Sequence, residues 1–219
     1  MQRLGTDVYL ERDIKGGVRA NAWALAHCLI RSSLPTPMRL NGSEMREQRD
    51  CEQHIAAFRQ WADESCASSI IVSSESFSFL RTKEEAEGLD RCFKGLFEEI
   101  VPIIIFRDED KRRLSWAKQL DNMGVKECMA KLDQIDRVDA EWYFDWKDLL
   151  GFWAQFGEPL TIDYRSALDE HSSILPAFLS TVDLDSIDLE GDFFLNETLN
   201  GSSGWSRLLG RMKRFLFKP

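Results

Sequence analysis

The sequence predicts an α/β fold in which a parallel sheet is flanked by helices. Three observations predict it. Two short apolar runs rich in β-branched residues, 69–73 (SIIVS) and 102–106 (PIIIF), read as buried central strands. Amphipathic stretches of helical period lie between and after them. Strand, helix, strand, helix at this spacing is a βαβ unit, which calls for a right-handed crossover and parallel strands.

The elements follow in order. Residues 1–18 are polar and mixed, with a turn at Gly16-Gly17. Residues 20–30 form a short helix offering Trp23, Leu25, Ala26 and Leu29 for burial, and 31–48, with Pro35, Pro37, Asn41 and Gly42, read as a loop. Ile55, Phe58, Trp61 and Ala62 recur at helical spacing over 50–64. The strand 69–73 exits into SSESFSFL, dense in hydroxyls around Glu75. Thr82 and Glu85 form a capping box. The helix that it opens buries Leu89, Cys92, Phe93, Leu96, Phe97 and Ile100, with Gly88 and Gly95 inside the period.

After the strand 102–106, a helix spans Lys111 to Met123 and stops at Gly124. Residues 125–140 are a loop with a helical piece. Trp146, Leu149, Leu150, Trp153 and Phe156 predict a helix over 145–156 that ends at Gly157. LTIDY (160–164) is a third strand, followed by a helix through Leu168, Ile174, Leu175, Phe178 and Leu179. Residues 1–205 make one domain, and 206–219 a basic amphipathic tail.

Bulk properties narrow the function. With 219 residues, 43% hydrophobic and 30% charged, the chain has the make-up of an ordinary globular protein with one full core. A net charge of −9 argues against general nucleic-acid binding. No apolar run reaches spanning length, and MQRLGTDVYLERD lacks the apolar centre of a secretory signal. The five cysteines are scattered without a CxxC pair, and His27, His54 and His171 lie far apart. A zinc site or disulfide framework is therefore not expected, and reduced thiols in a cytoplasmic setting are.

The densest chemistry lies in VPIIIFRDEDKRRLS (101–115). An apolar strand ends in Arg107, a charged turn follows, and Ser115 sits on the next helix. In open α/β sheets ligands lie outside the carboxyl ends of strands, and a guanidinium with a hydroxyl suits a phosphate or sulfate. The alternative is an arginine that caps the strand and pairs with Asp108 and Asp110.

Arg107 and Ser115, eight residues apart, resemble the 3′-phosphate-binding motif of sulfotransferases that use 3′-phosphoadenosine 5′-phosphosulfate. IIVSSESFSFL (70–80) is similar to the second core strand and Ser/Glu turn of bacterial sulfotransferase-like proteins. FDWKDLLGFWAQFG with LTIDYRSAL (144–168) resembles their later helix and strand. The resemblance covers roughly residues 50–200. It implies a P-loop nucleotide-triphosphatase-like fold and sulfuryl transfer to a hydroxyl of a saccharide or similar acceptor, without a metal. It also implies that Arg107 and Ser115 hold the 3′-phosphate, that Glu75 is the candidate base, and that Ser74 and Tyr164 line the acceptor side. Hydrogen-bonding by turn hydroxyls would make Glu75 structural instead.

One departure is large. The family's Gly-x-x-Lys-Ser/Thr-Gly-Thr loop, which cradles the 5′-phosphosulfate, has no counterpart here, and Lys15-Gly16-Gly17 does not supply it. LGTDVYLERD resembles what lies just downstream of that loop and its helix. The chain thus reads as starting one strand and one helix late, through a short gene model or degeneration. In this fold the first strand is central, so without it the neighbouring strands lose a ladder partner, and the protein would be marginal or need a partner such as a second copy.

Other patterns leave rival readings. Asp108 and Asp110, and likewise Asp183 and Asp185, match the Asp-x-Asp of metal-dependent glycosyltransferases. A non-catalytic nucleotide- or saccharide-binding relative is the further alternative. The run from Asp183 fails as a calcium loop, because Ile187, Asp188 and Phe194 replace required positions. Asn200–Trp205 faintly resembles a nucleotide-closing loop, with a linker as the alternative. Trp205–Phe217 reads as a basic amphipathic segment, either docked on the acidic body or in peripheral contact with an anionic membrane.

Overall fold

The computed structural model describes residues 5–9, 11, 21–42 and 51–184. Strand β1 is Thr6–Val8, and helices α1 (Trp23–Leu29), α2 (Pro37–Leu40) and α3 (Cys51–Glu64) lead to β2, Ser69–Ile71. A 3-10 turn over Glu75–Phe79 precedes α4 (Lys83–Phe93) and β3 (Ile103–Phe106). Then come α5 (Glu109–Asn122), α6 (Lys126–Met129), α7 (Glu141–Phe144) and α8 (Trp146–Trp153). Strand β4 (Leu160–Asp163) runs directly into α9 (Tyr164–His171), and α10 (Ile174–Thr181) follows. The architecture is α/β with parallel strands.

The strands fall into two pairs rather than one sheet. β1 runs parallel to β2 in the register Thr6↔Ser69 to Val8↔Ile71. β3 runs parallel to β4 in the register Ile103↔Leu160 to Phe106↔Asp163. β2 and β3, consecutive strands of the expected βαβ unit, are not hydrogen-bonded to each other. Each turns one edge to a partner and leaves the other without a strand among the described residues. The apolar runs that drew attention as buried strands are accordingly only partly covered: Ile70, Ile71, Val72, Ile103 and Ile105 are half-buried.

Among the described residues, two apolar clusters mirror this division. The larger joins α1, α3 and α4 to the 3-10 turn and the later helices, around Leu25, Phe58, Leu80, Leu89 and Val138. The smaller holds Ile162, Ala167 and Ile174, with Ile103, Ile105 and Phe178 packed on it.

Several boundaries differ from the sequence reading. Thr6–Val8 pairs as a strand although its surroundings are polar, because Ile70 and Ile71 offer it an apolar, hydrogen-bonding edge. α4 ends at Phe93 rather than near Ile100, since Gly95 takes a left-handed conformation (φ 77°) that stops the helix. Leu96, Phe97 and Ile100 still pack on the core from irregular chain, so their spacing reports burial without helix. The long helix after β4 is two helices, broken at Ser172, whose backbone is left-handed at φ 57°.

The thiol expectation is also corrected. Cys28 and Cys51 form a disulfide with their Cα atoms 5.2 Å apart, because α1 and α3 pack side by side and bring together residues 23 positions apart. Cys66, Cys92 and Cys128 are free thiols. No helix among the described residues is long and apolar enough to cross a membrane. The Asp183–Asp185 pattern extends past the described residues, and the Asn200–Trp205 loop and the basic tail lie outside them.

Candidate functional site

The carboxyl ends of β2, β3 and β4 carry the residues singled out from the sequence. Beyond β2, the chain stays extended to Ser74, which accepts a hydrogen bond from the Ser76 amide (3.2 Å) and so opens the 3-10 turn. Glu75 is the first residue of that turn and is exposed. Its neighbour Ser76 is buried, and Ser78 Oγ lies 3.3 Å from the Tyr143 hydroxyl.

Beyond β3, Arg107 is exposed, with its guanidinium 5.1 Å from the centre of the Tyr164 ring. Tyr164 opens α9 at the end of the paired strand β4, so strand register sets the Arg107–Tyr164 stack. Arg107 forms no ion pair with Asp108 or Asp110, and its N–H groups donate no hydrogen bond among the described residues. Asp108 caps α5 by accepting from the Lys111 amide (3.1 Å). Ser115 lies exposed on α5, and no hydrogen bond joins it to Arg107. Asp163 caps α9, and the hydrogen bonds it accepts at Ser166 hold its carboxyl below the ordinary value.

Between the ends of β2 and β3 stands a wall of aromatic rings and arginines that the sequence reading missed. Phe106 packs edge-on against Trp146 at 4.5 Å. The Arg112 guanidinium lies over Trp146 at 4.2 Å, Tyr143 at 4.7 Å and Phe144 at 5.3 Å, with no carboxylate partner among the described residues. Arg81 lies 5.8 Å from the Trp142 ring and forms an ion pair with Asp148. Burial lowers Arg81 to about 10, against the opposing pull of Asp148, so it stays charged at neutral pH. Helical periodicity had marked Trp146 and its neighbours for packing. Nothing local signalled the arginines, which come from two separate segments.

Chemically, the strand ends offer an exposed guanidinium backed by a phenol ring and a surface hydroxyl after β3, and an exposed carboxylate after β2; no hydrogen bond or ion pair joins Glu75 to Arg107 or Ser115. Among the described residues no group of three or more His, Cys, Asp or Glu side chains could hold a metal ion. Comparison of the chain with protein-family models, curated proteins and solved structures finds no match.

Proposed function

We propose that this chain is a sulfotransferase-like protein. Arg107 and Ser115 recognise the 3′-phosphate of 3′-phosphoadenosine 5′-phosphosulfate, and the acceptor is a hydroxyl of a saccharide or similar molecule. One observation carries the reading: β3 is a parallel strand whose last residue hands over to an exposed, unpaired Arg107, with Ser115 on the helix that follows. A guanidinium that rests over the Tyr164 ring, with no carboxylate partner among the described residues, keeps its N–H groups available for two phosphate oxygens.

In the transfer, the acceptor oxygen attacks sulfur in line. An O–S bond forms, the bond from sulfur to the bridging phosphate oxygen breaks, and adenosine 3′,5′-bisphosphate leaves. The acceptor's proton passes to Glu75, an exposed carboxylate on the turn that follows β2. Ser74 and Tyr164 flank that path as acceptor-binding groups. The reaction rests on positioning and on cationic stabilisation of the equatorial oxygens. The 219 residues contain no Gly-Lys-Thr loop for the 5′ end, so this reading puts nucleotide recognition in the chain and makes transfer conditional on such a loop.

Calorimetric titration with adenosine 3′,5′-bisphosphate tests it. Binding should weaken roughly 10- to 100-fold in Arg107→Ala, the scale of a lost charge-assisted hydrogen bond. Unchanged affinity in that variant sinks the reading. Binding of a nucleotide sugar only with manganese, lost in Asp108→Asn, would instead favour a metal-dependent glycosyltransferase.

A further inference from the structure

A second site lies away from the strand ends and is independent of the nucleotide reading. The Cys28–Cys51 disulfide lines a cavity of about 610 Å³ whose wall also includes Arg31, Arg91, Glu84 and Glu85. This volume falls in the ~300–1,000 Å³ range of small-molecule sites. Both disulfide cysteines are half-buried, so a small thiol can reach the bond from the cavity while the backbone around it is packed.

The charges of the wall are uneven. Arg31 is committed to Glu85 through two contacts of 3.0 and 3.1 Å. Arg91 is exposed and makes no ion pair or side-chain hydrogen bond among the described residues, so its charge is available at the cavity, whereas Arg39, also on the wall, donates to the carbonyls of Arg31 and Leu34. Glu84 is exposed on the same helix as Arg91, two turns earlier, and can accept an ammonium group. A ligand that satisfies this wall has a carboxylate, and a ligand that uses the disulfide has a thiol.

We propose that the cavity receives a small carboxylate-bearing thiol that exchanges with the Cys28–Cys51 disulfide, making this pair a redox-active site as well as a crosslink between α1 and α3. The thiolate attacks Sγ of Cys28, a ligand–Cys28 disulfide forms, and the Cys28–Cys51 bond breaks with Cys51 leaving as thiolate. Cys51 is the first residue of α3, a helix of 14 residues, where the amino-terminal dipole stabilises a thiolate and so improves the leaving group. A second thiol then attacks the ligand sulfur of the mixed disulfide, releasing oxidised ligand and the Cys28 thiol. In sum two thiols are oxidised to one disulfide, and one protein disulfide is reduced to two thiols. Cys92, also on the cavity wall, does not compete: burial pushes its thiol up to about 12, so it stays protonated.

Glutathione is the probe. In a Cys66→Ser, Cys128→Ser background, which removes the two exposed free thiols, intact-mass and peptide analysis after acid quenching should show one glutathionyl adduct on Cys28. Arg91→Glu should slow its formation about threefold to tenfold, Arg91→Lys should restore it, and the rate with neutral 2-mercaptoethanol should stay within about twofold throughout. Absence of the disulfide in the untreated protein overturns the proposal. So does an adduct on Cys51, or an equal slowing of both thiols by Arg91→Glu.

Discussion

The carboxylate of Glu85 is 2% exposed, yet four donors meet on it: the amides of Arg31, Arg81 and Thr82, and Nη1 of Arg31, at 2.7–3.1 Å. It therefore caps α4, holds the turn before it and fastens the end of α1 in one place. Removing one partner of such a buried pair costs about 3–5 kcal/mol, because a guanidinium and several amides lose their acceptor together. Glu85→Ala should lower the unfolding free energy by that amount in a urea titration, whereas Thr82→Ala should lose only about 1 kcal/mol. A Glu85→Ala loss under about 1 kcal/mol would mean that solvent substitutes for the carboxylate. The capping box was legible because Thr82 and Glu85 are three residues apart. The Arg31 contact spans 54 positions and was not. Glu11 was invisible for the same reason: it caps α1 from 13 residues away, accepting from Ala24 and Leu25 at 2.6 and 2.8 Å, where Ala22 has no side chain to do so. Arg107, Ser115, Glu75, Ser74 and Tyr164 were legible as types at strand ends, but the stack of Arg107 on Tyr164 depends on which strand pairs with β3.

Elements were read well where one face is buried and poorly where the chain bends. The periods of α3, α4 and α8 match the positions of Phe58, Ala62, Leu89 and Leu149 in the interior, whereas buried Phe152 lay outside the period read for α8. Gly157 was read as a helix stop, yet its role is space. A Cβ there would collide with the Ile100 carbonyl oxygen and touch Pro102, so the approaches to β3 and β4 can meet only around a hydrogen atom. Its backbone is not left-handed, and a Gly→Ala change at an unhindered site would gain about 0.4–1 kcal/mol from the unfolded chain. The collision reverses the sign, because parting two backbone segments costs about 1–3 kcal/mol. Gly157→Ala should therefore lower the melting temperature, while Gly151→Ala, which meets open space inside α8, should leave it level or raise it. Equal melting of the two variants would show that the β3–β4 junction yields freely.

For the whole molecule, the class α/β and the parallel sense of the strands followed from composition and spacing, but the division of the sheet did not. Local pattern names a strand without naming its neighbour, and SIIVS and IIIF are each apolar enough for two partners while finding one among the described residues. The consequence is an uneven distribution of stability. The larger cluster ties α1, α3 and α4 together through Leu25, Phe58 and Leu89, all fully buried, and the disulfide adds about 3 kcal/mol by closing a loop of 23 residues. The smaller cluster rests on Ile162, Ala167 and Ile174 and on four residue pairs of one parallel ladder. Parts with fewer buried apolar contacts open at lower free energy than the global transition. Native-state hydrogen exchange at low denaturant should therefore show β3, β4, α9 and α10 opening as a unit before α1, α3 and α4. Within β3, amides facing β4 should be protected while those on the other edge exchange at rates close to those of free peptide. Binding of adenosine 3′,5′-bisphosphate through Arg107 should raise the opening free energy of the β3–β4 unit first, because ligand bound at a strand end stabilises the part that holds it. Uniform protection across both clusters would show instead that the two strand pairs open only as one body.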